Sequence, residues 1–206
     1  MRKPRLSYIT SGLVLAEMPG KRHELALRAL TMHLEEQRIH LGLRKRLPGL
    51  GAYTCTVGGS ELEADDSFFA DGFNNGPTVI IEIAASQTLG EVKIKAAAWC
   101  QSPGIRAVLM VKIDARTQTM TFIKVVPVFR DIGTRSGLFL YQQEVARAVV
   151  RPIKGTPGAY ELDPSFDQAV AFTFSDLTNQ VPPTGQPNFL FDSDFLLEVT
   201  AEVFSA

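Results

Sequence analysis

Residues 78–83 read Thr-Val-Ile-Ile-Glu-Ile, and this almost unbroken β-branched run constrains the chain more than any other stretch. Such side chains suit the pleated strand, and a run without polar alternation suits a strand covered on both faces in an α/β sheet. A helical pattern follows. Ser86 is a candidate N-cap, Leu89, Val92, Ala96 and Trp99 recur at helical spacing over residues 87–101, and Pro103-Gly104 ends the helix. A second apolar run over residues 107–113 completes strand–helix–strand, which predicts two parallel strands joined by a right-handed crossover. Glu82 stands alone inside the first run. Burying an ionised carboxylate without a partner is costly, so Glu82 must be paired, protonated or bound to a metal.

The flanking pattern fits one mixed α/β domain. Upstream, residues 8–18 read as a hairpin around Ser11-Gly12, and residues 23–37 as a helix with Leu27, Leu30 and Leu34 at helical spacing. Residues 43–51 read as a loop carrying Arg44-Lys45-Arg46, and residues 53–57 as a strand before a Gly58-Gly59 turn. An extended stretch over 62–69 places Glu63 and Asp65 on alternate positions, and the turn Asn74-Asn75-Gly76-Pro77 separates it from the Glu82 run. Downstream, residues 119–129 should pair back on 107–113 through Asp114-Ala115-Arg116. Residues 138–150 fit either strand or helix, 156–164 a Pro/Gly-rich connection, 170–174 a short strand and 193–204 a closing helix. The 206 residues read as a single domain, with a core over 8–130 and a less regular, acidic part over 150–206.

Charge is unevenly spread. Residues 1–50 carry ten Lys/Arg against four Asp/Glu, the remainder eleven against eighteen, and no Lys or Arg follows Lys154. The basic residues Lys21, Arg22, Arg28, Arg44, Lys45 and Arg46 would hold a nucleic-acid backbone or simply form a solvated face. Cys55 and Cys100 belong to no CxxC or Cys/His cluster, and His23, His33 and His40 are not spaced with them as zinc ligands would be. No stretch approaches a membrane span, and the basic N-terminus lacks a signal-peptide apolar core, so a soluble intracellular protein without a membrane partner is expected.

The carboxylates suggest chemistry. If the 62–69 stretch lies beside the Glu82 strand, Asp65 and Glu82 converge on one cation, as Mg²⁺ or Mn²⁺ sites require. Lys95 lies on the following helix and is long enough to lean toward the strand ends; its alternative is an ordinary i,i+4 pair with Glu91. Asp65, then Glu82 within Val79-Ile80-Ile81-Glu82-Ile83, then Lys95 resembles the PD-(D/E)XK restriction-endonuclease-like superfamily. More narrowly, the chain is similar to a bacterial family of restriction-endonuclease homologues and its abundant fungal relatives. Those relatives read E-P-D-x-S-F, then P-x-V-V-x-E-V, a Ser-containing turn and a helix ending A-x-x-W. Here Glu63-Ala64-Asp65-Asp66-Ser67-Phe68, Pro77 to Ile83, Ser86 and Ala96-Ala97-Ala98-Trp99 stand in those places. The likeness covers residues 8–113, and more weakly 174–177 and 192–204.

That resemblance implies a restriction-endonuclease-like central mixed β-sheet flanked by helices. It implies a Mg²⁺- or Mn²⁺-dependent nuclease acting on DNA or RNA, with Asp65 and Glu82 as metal ligands and Lys95 as the third catalytic group. Ancillary places fall to His23, at the start of the first helix, to Asp66, which competes with Asp65, and to Gln87, where fungal relatives often carry an acid. The strand reads Glu82-Ile83-Ala84, so the lysine of a D/E-x-K triplet is absent and must come from the helix. Trp99 reads as core. A catalytically degenerate domain of the same fold, serving binding or assembly, is the alternative, and nothing in the residues selects between monomer and homodimer.

Overall fold

The computed structural model describes residues 5–8, 14–17, 19–57, 59–70, 76–131, 138–178 and 188–206. Its centre is a six-stranded sheet in the order β10-β9-β8-β7-β6-β5. The strands are β5 (Asp66–Phe68), β6 (Val79–Ala84), β7 (Ala107–Asp114), β8 (Thr119–Asp131), β9 (Leu138–Pro152) and β10 (Tyr160–Leu162). Only β6 and β7 run parallel, joined by the helix α2 (Leu89–Cys100); every other neighbouring pair is antiparallel. The sheet is therefore mixed, as the β-branched run and its crossover require.

Strand β6 is buried along its whole length because each face meets a different layer. Val79, Ile81 and Ile83 pack into the core shared with α1 (Lys21–His40) and α4 (Ser193–Ser205). Ile80 and Ala84 pack with Val92, Ala96 and Trp99 of α2 on the other face. Two-residue alternation thus sends Glu82, which lies between Ile80 and Ala84, into the α2 layer.

Strands β1 (Arg5–Tyr8) and β2 (Val14–Glu17) pair as the expected hairpin, with the Ser11-Gly12 turn outside the described residues. They join β3 (Thr54–Val57) and β4 (Ser60–Glu63) in a second, four-stranded antiparallel sheet, in which Gly59 takes the left-handed φ of +81° at the β3–β4 turn. Asn74 and Asn75 also lie outside the described residues. Gly76 adopts φ +101°, and a Cβ there would stand 2.9 Å from the Tyr53 hydroxyl, so the turn into β6 needs glycine. A small pair, β11 (Val170–Phe172) and β12 (Phe189–Phe191), sits with the short helix α3 (Phe174–Thr178) before α4.

The structure corrects two readings and decides a third that the sequence left open. The cap of α2 is Thr88, not Ser86: the Thr88 hydroxyl accepts from the Glu91 N–H while the Glu91 carboxylate accepts from the Thr88 N–H. This box fixes the start two residues later than Ser86 would. The 156–164 connection contains β10, paired with the end of β9. Residues 138–150, ambiguous in sequence, form strand β9, because β8 offers it a ladder twelve residue pairs long. No helix among the described residues is long and apolar enough to cross a membrane.

Candidate active site

Asp65, Glu82 and Lys95 come together, each delivered by a separate element. β5 pairs with β6 through Asp66↔Ile81, so Asp65 falls opposite Glu82, one step beyond the last paired residues. There β6 has no further strand partner on the β5 side among the described residues, and Oδ2 of Asp65 accepts the Ile83 N–H at 2.6 Å. Asp65 thus caps the edge with its side chain, which fixes one carboxylate oxygen beside β6.

Glu82 is gripped from the opposite side by α2. Lys95 and Trp99 are i and i+4 on that helix and so share a face. The Lys95 Nζ donates to Glu82 Oε2 at 2.7 Å, and the Trp99 Nε1–H donates to Oε1 at 2.5 Å. Glu82 is 3% exposed, Lys95 5% and Trp99 fully buried. Glu91, the surface partner that Lys95 could have taken, is engaged instead by Thr88.

Burial pushes the Glu82 carboxyl up from 4.5 to about 7. The Lys95 ammonium pulls against that shift, the Asp65 charge adds to it, and the bonds from Lys95 and Trp99 oppose it. The folded chain holds this proton more tightly than the unfolded chain. The resulting stability is fully present below about pH 4.5 and is lost as pH rises through about 7. Melting temperatures in EDTA should therefore fall more steeply between pH 5 and 8 for the wild type than for Glu82→Gln, which lacks the group. Equal slopes would contradict this origin of the pH dependence.

The ancillary candidates separate. His23, in the first turn of α1, is fully buried, with Nε2 3.2 Å from Asp65 Oδ1 and Nδ1 3.5 Å from Glu24 Oε1. At 3.2 Å the His23–Asp65 contact is an ion pair whenever the ring is protonated. Asp66 faces the α1 layer, where Oδ2 accepts from Thr31 Oγ1 at 2.5 Å and Oδ1 from the Ser67 N–H at 2.8 Å. Burial raises its pKa, against the bonds from Thr31 and Ser67. Of the two adjacent acids only Asp65 falls opposite Glu82, although both border α1, Asp65 at His23 and Asp66 at Thr31. Gln87 is buried in the turn before Thr88.

The basic residues form no single patch. Lys21 donates to the main-chain oxygen of Ala206 at 3.2 Å, and the Arg22 guanidinium lies over the Phe204 ring at 5.5 Å, so the end of α4 occupies both. Arg28 lines a cavity together with Glu198 and Glu202 of α4. Arg44, Lys45 and Arg46 are exposed just past the far end of α1, about 30 Å of helix away from Lys21. Asp65 and Asp66 line a cavity of about 410 Å³ whose other charged walls are Glu24, Arg28 and Glu35. This cavity is acidic.

Trp99 escaped the sequence reading as a site residue. The available signal was its four-residue spacing from Lys95, which puts both donors on the helix face toward β6. Among the described residues no three His, Cys, Asp or Glu side chains gather at metal-holding spacing, so any cation would depend on the two carboxylates.

No protein-family model and no curated protein matches the chain. Among solved structures it is similar to one described as a "putative nuclease belonging to DUF820" from Anabaena variabilis. That likeness has a TM-score of 0.42 and 18% identity, and covers 67% of this chain and 76% of that one.

Proposed function

We propose that this chain is a divalent-cation-dependent nuclease with a restriction-endonuclease-like domain, hydrolysing phosphodiester bonds in DNA or RNA. The observation that carries the reading is the convergence of Asp65, Glu82 and Lys95 from three separate elements. A structural ion pair would need only Glu82 and Lys95. Placing a second carboxylate beside them raises the energy of the ionised site, and such unfavourable groupings concentrate where chemistry requires them.

The donor set suits Mg²⁺ or Mn²⁺. Both take hard oxygen ligands, and one or two protein carboxylates suffice when water and phosphate complete the shell. Asp65 and Glu82 would hold the ion, since a carboxylate oxygen that accepts one hydrogen bond keeps a further lone pair. The ion would supply an activated water and offset phosphate charge. The chain's own groups do the rest. The Ile83 N–H holds Asp65, the Lys95 ammonium holds Glu82 and can steady the charge on a phosphate, and the acidic cavity at Asp65 draws cations. Arg28 and the Arg44-Lys45-Arg46 turn are the phosphate-contacting groups, while Lys21 and Arg22 serve the α1–α4 junction. The free thiols Cys55 and Cys100 suit a reducing, intracellular compartment.

One observation favours a second reading, a degenerate domain used for binding or assembly. Both Glu82 oxygens already have donors in a site almost closed to solvent. The readings separate when plasmid, single-stranded DNA and RNA are each incubated with Mg²⁺, Mn²⁺ or EDTA. The nuclease cuts at least one substrate with metal, and cutting is lost in EDTA and in Asp65→Asn. No cutting, together with no heat of Mg²⁺ or Mn²⁺ binding by calorimetry, establishes the degenerate domain instead.

A further inference from the structure

We infer that Trp99 is a positioning residue of this site, which orients the Glu82 carboxylate toward a divalent cation. The inference deepens the nuclease reading and rests on it, but its geometric part stands without a metal.

The indole is fully buried, and packing alone calls for a large apolar ring rather than for an N–H. What phenylalanine cannot do is donate. The indole carries one polar atom, and it is spent on Glu82 Oε1 at 2.5 Å, while Lys95 takes Oε2 at 2.7 Å. One donor leaves a carboxylate free to swing about its last torsion; two donors on its two oxygens fix the plane. Because Lys95 and Trp99 are one turn apart on a helix whose start is set by the Thr88–Glu91 box, the two donors are held at fixed spacing. β6 brings the carboxylate and α2 brings both donors, so the orientation of Glu82 depends on how strand and helix pack.

Chemistry makes this arrangement consequential for a cation. A carboxylate held in one plane presents its remaining lone pairs to a cation in one direction. Outer partners of metal ligands commonly govern affinity by ten- to a hundredfold without touching the ion.

The test uses the intact chain and two variants. Trp99→Phe keeps an aromatic ring and removes the N–H; Val92→Ala weakens packing on the same helix face and leaves the donor in place. Mn²⁺ affinity is measured by isothermal titration at pH 7. Trp99→Phe should bind Mn²⁺ about ten- to a hundredfold more weakly, and Val92→Ala within about twofold of the wild type. Equal affinity in Trp99→Phe, or an equal loss in Val92→Ala, overturns the assignment.

Since the chain has one tryptophan, its indole N–H gives a single resonance, which supplies a metal-free readout in EDTA. That resonance should lie downfield in the wild type and move upfield in Glu82→Met, which offers the indole no oxygen. If wild-type protein binds no Mn²⁺ while the resonance depends on Glu82, the nuclease reading fails and the clamp stands. A resonance indifferent to Glu82 overturns the clamp itself.

Discussion

Glu82→Gln is expected to lower cutting by roughly a thousandfold, the scale on which a positioned charged group contributes at a reacting centre. Glutamine fills the same space and its carbonyl can still accept from Trp99 or Lys95, so the side chain stays in place. It cannot supply the negative charge that a divalent cation needs beside Asp65. The substitution also strands the buried Lys95 ammonium, so rates must be compared well below the melting temperature, with circular dichroism confirming the fold. Glu82→Gln/Lys95→Met separates the two effects, because it removes the stranded charge without restoring a metal ligand. Cutting should remain lost in this double variant. Cutting that survives Glu82→Gln would remove Glu82 from the site.

The second large effect falls on stability. Lys95→Met should cost about 3–5 kcal/mol at pH 8, the usual penalty for leaving one member of a buried pair uncompensated. Methionine matches the length of the lysine stem, so the loss is electrostatic rather than a cavity. At pH 5 the cost should shrink, because Glu82, whose pKa burial has already raised, takes up a proton instead of remaining an unpaired anion. The Glu82→Gln/Lys95→Met double variant should lose only about 1–2 kcal/mol, for the amide hydrogens left without acceptors. The single-variant losses should therefore sum to more than the double-variant loss in a urea-denaturation cycle. Strict additivity would mean that the 2.7 Å contact contributes nothing to folding.

Local rules carried much of the fold. The β-branched run of β6 and the helical spacing of Leu89, Val92, Ala96 and Trp99 are direct consequences of side-chain shape and period. The parallel pairing of β6 with β7 follows from the crossover rule. Residues 138–150 were less legible. Nothing in Leu138-Phe139-Leu140-Tyr141 distinguishes strand from helix until β8 is there to pair with it. The cap of α2 was legible in principle, since Thr88 and Glu91 stand at capping-box spacing. Ser86, two residues earlier, carries an equally suitable hydroxyl, and only the backbone path past Gln87 decided between them.

The candidate site divides in the same way. By itself the sequence determined that Glu82 would be a buried acid in need of a partner, because period-two geometry inside an apolar run leaves it nowhere else to point. Only the tertiary structure decided the partners. The turn before β6 and the antiparallel register put Asp65 rather than Asp66 opposite Glu82, and α2 packing brought Lys95 inward with Trp99 beside it. The basic half of the chain likewise lost part of its apparent role when α4 folded onto α1, setting Glu198 and Glu202 near Arg28 and occupying Lys21 and Arg22. Charges distant in sequence meet only through folding, and a list of residues carries no distances between them.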